Sequence, residues 1–262
     1  LLIFGRPEPP APLSVLSPWL DMQIRPLDEV LAHLEGQRHR RFVKTHTPLD
    51  GLPFLDEVTY IVVGRDPRDT GISWAHHMGN LDFGVIFAAR EAAVGTDDLA
   101  ELMPEGHVPL AESVEERFWQ WVDDDAPQTV GSLMGMIGHL RAAWARRDRP
   151  NVVLLHYREL STDLAGELRR LAVCLGVGLD EDRQGEFLEA ASLSRMRDRV
   201  DAVIPNWTEK IWIDTARFLR QGTSGQWKAM LGEDGRARYR ARLAELGCDG
   251  DPVCAWLHDE PA

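Results

Sequence analysis

Cysteine is scarce in this chain: Cys174, Cys248 and Cys254 are the full complement in 262 residues. Three are too few for a disulfide framework, none forms a CxxC pair, and they read as structural or free thiols. Cys254 and His258 lie close together, but two soft ligands do not make a zinc site. No apolar run approaches the roughly 18 residues of a spanning helix, and the opening lacks the charged-then-apolar layout of a signal peptide. Cytoplasmic location is therefore the default expectation. Positive charge is also short, with 29 Lys and Arg against 42 Asp and Glu and a net charge of -13. Such a surface repels nucleic acid and anionic membranes, so any bound anion must be held by local basic residues. There is no repeat, heptad or low-complexity tract. The chain opens on Leu1-Leu2-Ile3-Phe4 and not on Met, and the expectation is that a strand, a loop and part of a helix precede it.

What is present suits a packed enzyme or binding domain. An apolar fraction of 44% with 27% charged residues can bury a sizeable core, and a single domain over 1–262 is the default. Pro7, Pro9, Pro10, Pro12 and Pro18 break regular structure at the start, where an extended entry segment is expected. Residues 27–34 carry helical spacing and stop at Gly36, and 39–44 read as a short strand with a basic lead-in. Residues 58–64 are a near-continuous run of strand-forming type. Asp66 can cap and Pro67 suits a first helical position, so a helix is expected to about Met78. Residues 80–112 have weak periodicity and read as an irregular insertion or lid.

Helical patterns return over 115–122 and 129–147, a buried strand is expected over 151–157, and helices follow over 164–175 and 234–246. Short apolar strands separated by helices predict an α/β fold, with a central, mostly parallel sheet covered by helices on both faces.

Two clusters carry chemistry. Lys44-Thr45-His46 puts a cation beside a titratable imidazole at the end of the first expected strand, where a parallel sheet presents functional groups. Arg65-Asp66-Pro67-Arg68-Asp69, with Ser73 further along, places an arginine at a strand tip just before a capped helix. That combination suits an anion, because the guanidinium offers a planar fork and the helix start offers free N–H groups. The bland alternatives are a satisfied strand-end histidine and an Arg65 neutralised by Asp66 or Asp69.

Together these pieces resemble the soluble sulfotransferases that use 3′-phosphoadenosine 5′-phosphosulfate (PAPS). A third piece agrees: Phe218-Leu219-Arg220-Gln221-Gly222-Thr223-Ser224-Gly225-Gln226-Trp227-Lys228 is similar to that family's Arg-Lys-Gly-x-x-Gly-x-Trp-Lys segment. The resemblance covers nearly the whole chain and is nearest to actinobacterial glycolipid and aryl sulfotransferases. It implies a P-loop-like sulfotransferase fold, PAPS as co-substrate with adenosine 3′,5′-bisphosphate (PAP) as product, no metal, and a small-molecule or lipid acceptor. His46 would be the general base and Lys44 would stabilise charge on the leaving phosphate, with Thr45 also at the donor. Arg65, Ser73, Arg220 and Gly222 would hold the 3′-phosphate, while Tyr157 and Ser192 would meet the adenine. Gln221 stands where the family usually has a second lysine, which removes one charged contact but not the backbone N–H of Gly222. The family's phosphosulfate-binding loop is expected ahead of Leu1, and the animal family's dimer segment after Trp227 is not present, so no dimer interface carries over.

The acceptor pocket is less legible. Trp19, Phe54, Trp74, His76, His77, Met78 and Phe83 flank the catalytic elements, yet aromatics at such spacing also serve as plain core. Residues 207–212 read as a packing helix equally well. A kinase-like phosphotransferase and a non-catalytic nucleotide-binding protein are the competing classes; no GxxxxGK[ST] sequence appears in the chain.

Overall fold

The structure, a computed structural model, describes residues 1–97, 109–125, 131–204 and 210–258. It groups into two compact units, Leu1–His46 with Asn80–Leu110 and Val177–Gln221, and Thr47–Gly79 with Ala111–Gly176 and Gly222–Ala262.

The second unit holds the sheet. Strand β1, Tyr60–Gly64, pairs in parallel with β2, Val152–His156, in the register Tyr60 with Val152 through Gly64 with His156. Both runs are mostly apolar and rich in Ile, Val and Leu, as a strand packed against helices requires. The helix Leu133–Trp144 packs against both strands, and Val62 meets Leu140, Val253, Leu257 and Trp256 in one core cluster. A second cluster joins Ile72 of the helix Pro67–Met78 to Phe118 and Trp121 of Val114–Asp123 and to Leu133, Ile137, Leu231 and Tyr239. Fully burying each such large side chain contributes roughly 1.5 to 3 kcal/mol. Helix cover differs between the strands: β2 is buried except for a half-buried Leu154, whereas Ile61 and Val63 of β1 are 43% and 52% exposed.

Helix ends follow the local code. Ser113 and Glu116 form a reciprocal capping box, Asp66 accepts from the Arg68 N–H, and Asp163 caps Leu164–Leu175, which ends at the left-handed Gly176. The helices expected over 115–122, 129–147 and 234–246 appear as Val114–Asp123, Leu133–Trp144 and Glu233–Glu245.

The first unit is helical and irregular, around Ile24, Ile204, Ile211 and Trp212. Among the described residues its longest helices are Leu27–Gly36 and Phe83–Val94. The entry segment is not wholly extended, since Leu2–Phe4 and Leu13–Leu16 are short helical turns. The strand expected over 39–44 reduces to one isolated parallel bridge between Lys44 and Trp19, because its partner is a single turn residue and not a run. The irregular stretch expected from 80 is ordered by Asp82, which caps Phe83–Val94; residues 98–108 lie outside the described set. Trp212 forms an antiparallel bridge with Leu81, so the helical reading of 207–212 fails at its described end.

Two of the three thiols differ from expectation, and the third is free as expected. Cys248 and Cys254 form a disulfide, and Cys174 is free and exposed. The imidazole of His258 is held by the Cys254 carbonyl at 2.7 Å and the Tyr239 hydroxyl at 2.9 Å.

Candidate active site

In the second unit, β1 ends against a close packing contact. A Cβ on Gly64 would lie 2.4 Å from the Trp256 ring, so only glycine lets the strand tip sit there and deliver Arg65. The Arg65 guanidinium lies 4.4 Å from the centroid of Tyr157, the residue that follows β2, and donates to the Thr223 carbonyl at 3.1 Å. Its Nε is shielded from water and has no hydrogen-bond partner among the described residues. Neither neighbouring carboxylate neutralises it. Asp66 is engaged by Arg68, through Nε at 2.9 Å and a terminal nitrogen at 2.7 Å, and Arg68 in turn stacks 3.8 Å over Trp227.

Asp69 does different work. Only 1% exposed, it accepts the backbone N–H groups of Gly225 at 2.6 Å and Trp227 at 3.3 Å. Gly222 and Gly225 have φ of 67° and 83°, a left-handed backbone that glycine adopts without strain. The Gly222–Trp227 turn is thereby tied to the helix that follows Arg65. Ser73 is half-buried on that helix, roughly 10 Å along its axis from Asp66 at 1.5 Å per residue. Asp69→Ala should leave two half-buried backbone donors without their carboxylate and lower the unfolding free energy by about 2 to 4 kcal/mol. Denaturant titration checks this; a change below about 0.5 kcal/mol, the scale of a neutral surface substitution, would show that Asp69 does not hold the turn.

In the first unit, the segment Trp19 to Asp21 grips Lys44, Thr45 and His46. The Lys44 ammonium sits 3.8 Å from the Trp19 ring centroid, and the His46 ring meets the same indole edge-on at 4.5 Å. Asp21 Oδ2 accepts the Thr45 hydroxyl at 2.6 Å and the His46 backbone N–H at 2.8 Å. Burial pulls the Lys44 pKa below the ordinary lysine value, and the Asp21 carboxylate opposes that shift. Lys44 is exposed over the residue as a whole, so desolvation concerns its ammonium end. His46 and Trp19 border a cavity of about 280 Å³, whose apolar wall is Met22, Ile24 and Ile86.

The remaining expected residues have visible local roles. Ser192 caps the helix Leu193–Asp198 by accepting from the Arg195 N–H at 3.2 Å. From that helix Arg197 donates to the carbonyls of Leu219, at 2.7 Å, and Arg220. Arg220 is half-buried and Gln221 exposed. Of the expected acceptor-wall aromatics, Trp19 borders the cavity. Phe54 stacks on Tyr60 at 5.0 Å and Trp74 packs on the Ile72 cluster, both as ordinary core.

Asp21 and the anchoring role of Asp69 escape sequence reading. Asp21 lies 25 residues before His46 in a proline-broken segment, with no periodicity or motif to mark it. Asp69 is visible as a charge beside Arg65, but its partners lie more than 150 residues away.

Comparison with known proteins gives the family and the fold. Residues 7–246 match the Sulfotransferase domain family. A glycolipid sulfotransferase of Mycobacterium bovis is 40% identical over 269 residues, covering 99% of this chain and 82% of that protein. A luciferin sulfotransferase of Photinus pyralis is 25% identical over 223 residues, covering 78% of this chain and 49% of that protein. Among solved structures, a mouse sulfotransferase complexed with PAP superposes with a TM-score of 0.61 at 17% identity, covering 87% of this chain and 74% of its own. Retinol dehydratase in complex with retinol and PAP gives 0.65 at 22% identity, with 90% and 71% covered. The motifs, the fold and a family match across most of the sequence converge, and the chain belongs to the sulfotransferase domain family.

Proposed function

We propose that this enzyme transfers the sulfuryl group of PAPS to a hydroxyl of a glycolipid, sugar or phenol acceptor, with His46 as general base. The observation that carries the donor assignment is Arg65: a half-buried guanidinium stacked on Tyr157 that, among the described residues, pairs with no carboxylate and keeps a shielded Nε–H without an acceptor. A group so placed fits a phosphate oxygen, and the aromatic face beside it fits a purine. Structural relatives named as PAP complexes support that ligand.

In this reading Arg65, Ser73 and the N–H of Gly222 hold the 3′-phosphate, and Tyr157 meets the adenine. Ser192, Arg220 and Gln221 are assigned to the same nucleotide by motif resemblance. Bound PAPS supplies the activated sulfuryl group. Sulfuryl transfer, like phosphoryl transfer, is mainly positioning and charge stabilisation, which protein cations can provide. His46 takes the hydroxyl proton as that oxygen attacks sulfur, a task suited to an imidazole at neutral pH. Lys44 stabilises the charge that develops on the leaving phosphate, and Thr45 lies between the two at the donor. The family match draws on sequence from both compact units, which supports reading the chain as one domain.

The acceptor class is supported by the mycobacterial relatives' names, and a screen decides it. Full-length protein with sulfur-labelled PAPS should label glycolipids or simple glycosides in preference to phenols. Labelling confined to phenols would remove the glycolipid assignment and leave the donor chemistry standing.

A further inference from the structure

The helix Phe83–Val94 distributes its side chains against ordinary expectation. Phe87 and Val94 are 41% and 47% exposed, whereas Arg90 is 8% exposed. Burying a guanidinium costs several kcal/mol unless its donors are met, so the placement calls for a reason. Arg90 donates to the Gly95 carbonyl at 3.1 Å and to the Gln23 side-chain oxygen at 2.9 Å, and both Arg90 and Gln23 border the cavity that His46 also lines. Asp21 completes the polar lining. Opposite in character is Trp19, whose indole N–H is shielded from water and has no acceptor among the described residues.

This lining matches one ligand chemistry better than the others. A guanidinium, an amide and a carboxylate are planar groups that can each bridge adjacent hydroxyls, and an indole offers a face for C–H groups with an N–H for one more oxygen. A phenol or steroid, with a single hydroxyl committed to His46, would leave the shielded Trp19 indole N–H without an oxygen to meet. An anion would meet the Asp21 carboxylate. The volume, about 280 Å³, equals roughly nine waters at ~30 Å³ each, the scale of a single hydroxylated ring.

We infer that Gln23 and Arg90 are specificity-determining residues that read the hydroxyls of one sugar ring seated against Trp19, so that a neighbouring hydroxyl of the same ring faces His46. This rests on the sulfotransferase reading with His46 as base. The sugar can arrive as a free glycoside or as a lipid headgroup, and the assay separates the two.

The test measures kcat/KM with methyl and octyl glucosides, galactosides and mannosides and with 4-ethylphenol, a phenol of ordinary acidity, for the full-length protein and for Gln23→Leu and Arg90→Lys. Gln23 is exposed, so its variant remains informative if the arginine variant folds poorly. For at least one glycoside, Gln23→Leu should lower the glycoside-to-phenol ratio of kcat/KM about tenfold, chiefly through KM, the loss expected for one hydrogen bond to a substrate. Equal loss for glycoside and phenol, an unchanged ratio, or a wild type that sulfates phenol but no glycoside would each overturn the inference. A parallel His46→Ala enzyme separates the two levels. If that variant loses phenol transfer while Gln23→Leu leaves the ratio unchanged, only the sugar reading fails. If the wild type transfers to no acceptor, the proposed function fails and this inference with it. Equal use of methyl and octyl glycosides identifies the ring alone as the ligand, and preference for octyl identifies a lipid headgroup; both outcomes support the assignment.

Discussion

His46→Ala is expected to reduce kcat by about 10²- to 10⁴-fold while leaving PAP affinity nearly unchanged. The scale is that of one proton-transfer group. The structure makes a merely structural effect small, because His46 is exposed and its backbone N–H, which the substitution keeps, is held by Asp21. A packed strand-end histidine would instead cost about 1 kcal/mol of stability and leave turnover largely intact. The pH profile adds a second handle. Protonation of the base at acid pH should lower kcat, for an acceptor whose own hydroxyl does not titrate in the same range. Acidic phenols need little base help, so the loss should shrink as acceptor pKa falls. Measuring the variant with two acceptors of very different pKa at one pH checks this; small and equal losses would remove His46 from the mechanism.

The second large effect belongs to Arg65. Arg65→Ala should weaken PAP binding roughly tenfold to a hundredfold, since a charge-assisted contact to a buried phosphate contributes about 1.5 to 3 kcal/mol. Adenosine 5′-phosphate, which lacks the 3′-phosphate, should lose far less. Calorimetry with both ligands decides the point, because stacking on Tyr157 affects both nucleotides alike and phosphate recognition affects one. Equal losses would make Arg65 an adenine-side residue and not a 3′-phosphate contact.

The parts legible in the sequence are those with local causes. The Tyr60–Gly64 run, the Asp66-Pro67 cap and the Gly176 stop announce themselves within a few residues, and each lies close to its expected place. The helix Phe83–Val94 was hidden because apolar residues surround its axis and leave no amphipathic period; the buried member is its arginine. Lys44 looked like the end of a strand because the run before it is strand-forming, yet its bridge partner, Trp19, belongs to a proline-broken turn. The site divides in the same way. Arg65 and His46 could be named from motifs, but the reason Arg65 escapes neutralisation could not, since it depends on Arg68 claiming Asp66 and on Gly225 and Trp227 claiming Asp69.

The central claim is sulfuryl transfer from a 3′-phosphorylated donor. PAPS carrying one label on sulfur and another on the 3′-phosphorus, incubated with the full-length protein and an acceptor it uses, should yield acceptor bearing the sulfur label alone, with the phosphorus label retained in PAP. Phosphorus label in the acceptor, or PAP binding without any label reaching glycolipid, sugar or phenol, would contradict it.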